Sequence, residues 1–170
     1  LWTAPYGPAG LLAIDDAFSS SPTRSLRATP NADKGAVLAL DVSKIASDLR
    51  LLASGPRTGL DEIALPAVQP GSSIMPGKIN PSIPEMVNQV CFQVVGCDTT
   101  VAIAAEHGQL ELNVMMPVIA QNLLLSMRIL TNALRTFAER CVVGIEANAA
   151  MCEYWVERSA ALATALMPQI

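Results

Sequence analysis

The sequence predicts an all-α protein in which long helices pack as a bundle. Apolar residues recur at helical spacing over several long stretches, and no stretch of convincing length alternates between apolar and polar residues as a half-buried strand does. Charged residues make up only 15% of the chain, against roughly 25% in an average soluble domain. With so few charges to face solvent, we expect much of the helix surface to be covered by other helices or by other chains.

The chain begins with a region that we expect to be mostly irregular, residues 1–33. Four prolines and three consecutive serines interrupt any helical period before it can build. The first helix is predicted from Asp33 to Ala53, where apolar residues recur at helical spacing. Asp33 can cap the start of this helix, and Gly55 and Pro56 end it.

Residues 54–84 form the next region, and their composition argues against regular structure. Four glycines and six prolines fall within it, and helices and strands do not persist at that density of breakers. An irregular segment of this length is uncommon inside a helical protein and usually carries function. We therefore expect the chemistry of the protein to lie in this region.

Three further helices are predicted after the irregular region. Pro84 suits a first helical turn, and Glu85 lies where a carboxylate complements the helix N-terminus. Breaks at His107–Gly108 and at Gly144 separate the three helices. Their predicted bounds are Pro84 to about Glu106, Pro117 to about Arg140, and about Ile145 to Leu166.

Charge and hydropathy exclude two classes of partner. The formal net charge is −4 and no run of Lys and Arg supplies a basic patch, so we expect no nucleic-acid partner. The longest uncharged stretch of the apolar second half, Leu112–Met127, is shorter than the roughly 20 apolar residues that span a bilayer, so we expect no membrane segment.

No cationic segment precedes the first apolar residues, as it would in a signal peptide, and we expect a cytoplasmic protein.

The four cysteines are predicted to be free thiols. The four are Cys91, Cys97, Cys141 and Cys152. Their spacings match neither a zinc-binding nor a redox pattern, and three of the four lie in strongly apolar helical sequence. Buried free thiols are typical of proteins in a reducing cytoplasm. These spacings give no sign of a metal site, and we expect no cofactor.

The segment Gly71–Pro81, GSSIMPGKINP, is the most informative stretch of the chain. It sets the hydroxyls of Ser72 and Ser73 in a glycine-flanked loop, with the ammonium of Lys78 six residues after the first hydroxyl and the amide of Asn80 close behind. Successive backbone N–H groups in such a loop can form an anion-binding concavity, which the lysine charge would strengthen. A carboxylate substrate is the natural ligand for this arrangement.

Two other interpretations of this loop are open. A segment of this composition can be a solvated linker without function. A phosphate-binding loop is disfavoured, because that motif needs Ser or Thr directly after its lysine and Ile79 follows Lys78 here.

This segment resembles the signature loop of the aspartase/fumarase superfamily. Its flanks, DLRLLASGPRTGLDEIALP before it and NQVCFQVVGCDTTVAIAAEHGQLELNVMMPVIAQNLL after it, resemble the aspartate ammonia-lyase branch, and the similarity covers roughly residues 44–170. Class II fumarases share the loop but typically read Gly-His-Phe-Glu-Leu-Asn where residues 108–113 read GQLELN, and His107 lies one residue before that glycine. The resemblance implies that residues 34–170 are part of the central helical domain, with the signature loop at 71–81.

The resemblance also implies roles for individual residues. Ser72 would be the general base that takes a Cβ proton from L-aspartate, giving an aci-carboxylate from which ammonia leaves to form fumarate. Ser73, Lys78 and Asn80 would bind the substrate carboxylate. Glu85 would support the site by pairing with a histidine of another subunit, although its position at a helix N-terminus is an equally good explanation.

The resemblance further implies an incomplete site in this chain. Relatives assemble as homotetramers whose sites combine segments of three subunits, and neither the threonine/serine/asparagine segment nor the histidine-bearing segment is found in this sequence. Residues 31–48 resemble two ends of a longer family helix joined after a loss of about ten residues, which would rotate the later part of that helix by roughly −80°. We expect a fragment that is inactive alone. The alternatives are a fumarate hydratase and a non-catalytic helical scaffold.

Overall fold

The computed structural model describes residues 32–160 and residue 163. Within these residues the chain forms four α-helices, one 3-10 turn at Val142–Gly144 and one pair of two-residue strands. The elements in chain order are α1 (Ala32–Leu52), β1 (Ile63–Ala64), α2 (Ser82–Glu106), α3 (Met116–Arg140), β2 (Glu146–Ala147) and α4 (Ala149–Arg158). The predicted all-α class with long helices is confirmed.

The chain divides into two compact units, and α1, α2 and α3 each contribute residues to both. In the described part, the first unit contains residues 32–42 and 89–132, and the second contains residues 43–88, 133–160 and 163. The core of the first unit includes Val101, Ala104 and Ile119, against which the half-buried Leu123 packs. The side-chain amide of Asn113 donates to the Ala104 carbonyl at 3.0 Å and its oxygen accepts from the Met115 N–H at 2.8 Å.

These bonds tie the end of α2 to the start of α3, because Asn113 satisfies a carbonyl of the last turn of one helix and an N–H at the start of the next. The imidazole of His107 lies at the same helix end, with Nδ1 2.9 Å from the Ile103 carbonyl oxygen. His107 is thus a helix-terminal residue in this structure.

The second unit holds the irregular region and α4. β1 and β2 pair antiparallel with Ile63 opposite Ala147, and the Asn148 N–H donates to the Glu62 carbonyl at 2.8 Å. The Trp155 indole N–H donates to the Leu60 carbonyl at 2.8 Å. These bonds hold α4 against the segment that comes after α1.

The first three helices agree with the sequence, with small differences at their ends. α1 spans 32–52 where 33–53 was predicted. α2 begins at Ser82 rather than Pro84, and Pro84 is tolerated in the first turn because the N–H groups there have no intrahelical partner. The short β1 strand lies in the region predicted to be irregular, and two residues are too few to show an alternating pattern.

The predicted bounds of the last helix, Ile145 to Leu166, are wrong. α4 begins at Ala149 because Asn148 caps it, its side chain accepting a hydrogen bond from the Met151 N–H. Residues before the cap are used in β2 instead. The helix ends at Arg158, and Ser159 is extended. Residues 161, 162 and 164–166 of the predicted helix, and residues 1–31 of the N-terminal region, lie outside the described residues, whereas 32 and 33 are helical.

The cysteines are free thiols, as predicted. Three are buried and Cys152 is half-buried. Burial raises the pKa of the Cys91 and Cys141 thiols because it disfavours the charged thiolate. None of the helices in the described residues is both long enough and apolar enough to cross a membrane.

Candidate active site

The loop of residues 71–80 precedes α2, and three hydrogen bonds close it. The Gly71 N–H donates to the Lys78 carbonyl at 2.8 Å, and the Asn80 side-chain amide donates to the Gly71 carbonyl at 3.0 Å. At the far end, the Lys78 N–H donates to the Met75 carbonyl at 3.3 Å. Two of these bonds join backbone groups and the third comes from the Asn80 side chain, so backbone groups determine most of the shape of this loop.

Two glycines are required by this shape. A Cβ atom at Gly71 would lie 2.5 Å from the Lys78 carbonyl oxygen, so any side chain there would force the base of the loop apart. Gly77 has a φ of 76°, in the left-handed region that residues with a Cβ adopt at a cost. The glycines that flank the predicted motif thus have distinct steric reasons to be there.

Ser72 lies inside the loop with its side-chain oxygen facing the backbone. The Oγ atom accepts hydrogen bonds from the Ile74 N–H at 3.1 Å and from the Met75 N–H at 3.2 Å. Ser72 is half-buried, whereas its neighbour Ser73 is exposed. Two backbone donors directed at one hydroxyl oxygen favour negative charge on that oxygen.

Ser73 and Lys78 present their side chains on the exposed face of the loop. Neither side chain has a hydrogen bond or an ion pair to any residue that the structure describes. The ammonium of Lys78 therefore faces no carboxylate within the described part of the chain. An ammonium that no carboxylate neutralises is available to bind an anionic ligand.

Asn80 has a structural contact that the sequence did not indicate. One N–H of its side-chain amide is engaged with the Gly71 carbonyl, which leaves a second N–H and the amide oxygen of this half-buried residue. At the start of α2, the Ser82 N–H donates to the Asn80 carbonyl at 2.8 Å, and the Gln69 side-chain amide donates to Ser82 Oγ at 3.0 Å. Gln69 and Ser82 thus brace the loop, and sequence reasoning missed both.

Glu85 lies in the first turn of α2, where the sequence predicted it, and its carboxylate has a partner on α1. Arg50 Nη2 is 3.8 Å from Glu85 Oε1, and Arg50 Nη1 donates to Asn88 Oδ1 at 3.2 Å. Sequence reasoning missed Arg50 and Asn88. The available signal was weak, because a basic residue in the last turn of a helix is already explained by the helix dipole.

A separate open cleft of about 460 Å³ lies in the same unit, between residues 56–60 and α4. Its lining includes Arg57, Tyr154 and Trp155 but none of the predicted site residues. The described residues contain no group of three or more His, Cys, Asp or Glu side chains that could hold a metal ion. The loop and the start of α2 are therefore the part of this unit with the arrangement best suited to chemistry.

Comparison with known proteins agrees with this choice of site. A protein-family model described as lyase matches residues 31–96, a range that contains both the loop and Glu85. The aspartate ammonia-lyase of Bacillus subtilis is 56% identical over 134 residues, which are 79% of this chain and 28% of that protein. The aspartate ammonia-lyase of Corynebacterium glutamicum is 61% identical over 130 residues, which are 76% of this chain and 25% of that protein. The chain thus spans roughly a quarter of the length of these curated relatives.

Solved structures give the same result for the fold. The fumarate lyase:delta crystallin of Brucella melitensis, in a cobalt-bound crystal structure, superposes with a TM-score of 0.76 at 61% identity, covering 81% of this chain and 30% of that one. The class II fumarase of Schistosoma mansoni superposes with a TM-score of 0.79 at 43% identity, covering 82% and 29%. The fold of this chain is therefore the helical fold of these proteins.

Proposed function

The chain belongs to the aspartase/fumarase superfamily of lyases, and we propose that it supplies the base-bearing loop for the reversible elimination of ammonia from L-aspartate to give fumarate. The observation that carries this proposal is the pair of backbone N–H groups, of Ile74 and Met75, directed at Ser72 Oγ. A free serine hydroxyl is a very weak base. The reaction therefore needs hydrogen-bond donors that stabilise the alkoxide form of the serine and are in place before the proton is removed.

In the proposed reaction, Ser72 acts as the general base. Its alkoxide takes a proton from Cβ of L-aspartate, and the electron pair left on Cβ is delocalised into the adjacent carboxylate, which becomes a doubly charged aci-carboxylate. That electron pair then forms the Cα–Cβ double bond while the C–N bond breaks and ammonia leaves. The products are fumarate, ammonia and a neutral Ser72 hydroxyl, so atoms and charge balance.

The substrate carboxylate that gains charge is proposed to lie against the exposed face of the loop. Lys78 supplies an ammonium that no described carboxylate neutralises, and Asn80 retains one side-chain N–H beyond the bond that closes the loop. The Ser73 N–H is a further donor in the same segment. Charge developing on the carboxylate is stabilised most by groups already oriented before the reaction starts.

Sequence identity supports aspartate over malate as the substrate. The curated aspartate ammonia-lyases are 56% and 61% identical to this chain, whereas the class II fumarase is 43% identical over a similar share of it. A fumarate hydratase remains the second candidate because that fumarase superposes as well as the other structures do. Offering malate in place of aspartate distinguishes the two.

We also propose that the 170 residues do not turn over substrate alone and act within a homo-oligomer, a homotetramer by resemblance to the family. The chain spans 28% of the Bacillus subtilis relative. Its described helices and loops expose many large apolar side chains, among them Phe92, Leu110 and Leu112 at 64%, 103% and 65% exposure, which is typical of surfaces that other chains cover. A cytoplasmic location stays a prediction, with which the four free thiols agree.

A complementation experiment tests the proposed function. The chain is mixed with full-length Bacillus subtilis aspartate ammonia-lyase in which the loop serine is replaced by alanine, and fumarate absorbance is followed with aspartate. We expect the mixture to gain activity that neither protein has alone. Ser72→Ala should remove the gain, whereas Thr99→Ala, which deletes an exposed hydroxyl on α2, should retain it. A mixture that stays inactive contradicts the lyase proposal and supports the scaffold alternative.

A further inference from the structure

Asn88 is a buried polar residue of the second unit, and both ends of its side-chain amide are engaged. The residue is 4% exposed. Its Nδ2 donates to the Ser43 carbonyl and the Ser43 hydroxyl, both at 2.9 Å, and to the Ser47 hydroxyl at 3.1 Å. Its Oδ1 accepts from Arg50 Nη1 at 3.2 Å. The amide therefore joins α1 to α2 with both of its polar atoms paired.

These partners determine which way the amide points. The Ser43 carbonyl can only accept, so the amide NH2 must face it, and the Arg50 guanidinium can only donate, so the amide oxygen must face that side. A reversed amide would set acceptor against acceptor and donor against donor. The acceptor for Arg50 Nη1, which is Asn88 Oδ1, therefore lies at one defined position.

From that position the guanidinium reaches Glu85. Asn88 and Glu85 are three residues apart on α2, so they lie on one face of the helix. Arg50 bonds to Asn88 through Nη1 while Nη2 lies 3.8 Å from Glu85 Oε1. The guanidinium suits this pair of partners because its N–H groups lie on separate nitrogens in one rigid plane, whereas a lysine ammonium presents its three donors from a single nitrogen.

The contribution of this ion pair to stability does not explain the arrangement. The Arg50 and Glu85 side chains are 42% and 39% exposed, and ion pairs this open to solvent contribute little to folding. A cation on one side of the carboxylate instead favours the orientations of Glu85 in which an oxygen faces Arg50. The carboxylate is held at the first turn of α2, directly after the loop that bears Ser72.

We propose that Arg50 is a positioning residue that acts through Glu85, an inference that rests on the supporting role of Glu85 in the proposed function. The chain of contacts runs from the two α1 serines to Asn88, from Asn88 to Arg50, and from Arg50 to Glu85. The buried amide of Asn88 fixes the position of the Arg50 guanidinium, and the charge of Arg50 then favours one orientation of the Glu85 carboxylate for the group that it pairs with in the complete site. Arg50 itself touches neither the loop hydroxyls nor Lys78 in this structure.

The test uses the complementation mixture and separates kcat from KM. We expect Arg50→Gln and Arg50→Lys each to lower kcat by about tenfold or more with KM within about twofold, because the carboxylate is misdirected while the binding groups are intact. Arg50→Lys should not recover kcat, since it restores charge without the fork. Lys44→Gln is the matched control, removing a cation from an exposed α1 ion pair with Asp48, and should act as the unaltered chain does.

Glu85→Gln decides whether Arg50 acts through that carboxylate. Adding Arg50→Gln to Glu85→Gln should cause no further loss of kcat, because the two residues act as one unit. Full additivity of the two losses would overturn the inference. A raised KM with unchanged kcat in Arg50→Gln would also overturn it, since that result would assign Arg50 to substrate binding.

If the proposed function itself is wrong, the complementation mixture with the unaltered chain shows no deamination of aspartate. That result is distinct from a loss of kcat in the Arg50 variants. The positioning inference is in that case decided by carbon-13 NMR of the chain, with the Glu85 side-chain carboxyl resonance assigned from Glu85→Gln. Arg50→Gln should move this resonance and Lys44→Gln should leave it in place. An unmoved Glu85 resonance in Arg50→Gln would overturn the inference.

Discussion

The loop at residues 71–80 precedes α2, and the polar network of Asn88 with Ser43, Ser47 and Arg50 includes a residue of its first two turns. The two regions are built from different interactions. The loop is shaped mainly by backbone groups, which also supply the two donors to Ser72 Oγ. The network is made of side chains, with Asn88 at 4% exposure. Substitutions in the loop should therefore impair chemistry more than folding, and substitutions in the network should do the reverse, apart from the effect of Arg50 on Glu85.

The largest effect on folding is expected for Asn88→Leu. This change removes the acceptor of Arg50 Nη1 and the donor to the Ser43 and Ser47 hydroxyls, and each hydrogen bond lost in this way costs about 0.5–1.5 kcal/mol. We expect the free energy of unfolding to fall by about 3 kcal/mol in urea titrations. A loss below about 0.5 kcal/mol, which is normal for a surface change, would contradict the assignment of this network as a folding element.

A smaller effect, and one on chemistry, is expected for Gly71→Ala. The added Cβ would lie 2.5 Å from the Lys78 carbonyl oxygen, so the base of the loop must open and Ser72 must shift. We expect activity in the complementation mixture to fall roughly thirty-fold, or about 2 kcal/mol in the activation free energy. Gly35→Ala serves as control, because nothing lies within 4 Å of its Cβ, and it should keep full activity.

Gly77→Ala should have a milder effect of the same kind. The φ of 76° at Gly77 costs a residue with a Cβ about 1 kcal/mol, although no atom lies within 4 Å of the added group. We expect roughly a fivefold loss of activity in the mixture. Gly77→Asn should lose less, because asparagine adopts left-handed backbone more readily, and equal losses for the two variants would contradict the conformational explanation.

The smallest effect concerns pH and the buried thiols. Burial raises the pKa of Cys91 and Cys141 above the ordinary value of 9.0, so the folded state favours the neutral thiol. The stability that this preference contributes is complete below the unfolded pKa and is lost as pH rises through the raised one. We expect the free energy of unfolding to decline above about pH 9, and Cys91→Ala to make that decline shallower. A decline of unchanged slope in Cys91→Ala would contradict this cause.

The features that the sequence predicted well are those determined by neighbours in the chain. The bounds of α1 come from helical spacing and from the Gly55–Pro56 break. The irregular course of the loop comes from its glycines and prolines, and the donors to Ser72 Oγ lie two and three residues after it. The start of α4 was missed because the residues before Asn148 pair as β2 with β1, which lies far away in the sequence.

The same reason explains why the network was missed. In the sequence, Asn88 is one polar residue in the apolar helix α2. Arg50 is a basic residue at the end of α1, where the helix dipole already explains it. Only the packing of α1 against α2 within the second unit makes them a pair. Sequence patterns indicate which face of a helix is apolar, but they do not show which polar side chains meet across it.

The most direct test of the base assignment is the distance from Ser72 Oγ to Cβ of the ligand. We suggest a crystal structure of the reconstituted multi-chain particle with L-aspartate bound. We expect a distance of about 3–3.5 Å, as for reacting atoms in a productive complex, with the Ile74 and Met75 N–H groups still on Ser72 Oγ. An ordered ligand whose Cβ lies on the order of 6 Å or more from that oxygen, well outside this range, would contradict the role of Ser72 as the base.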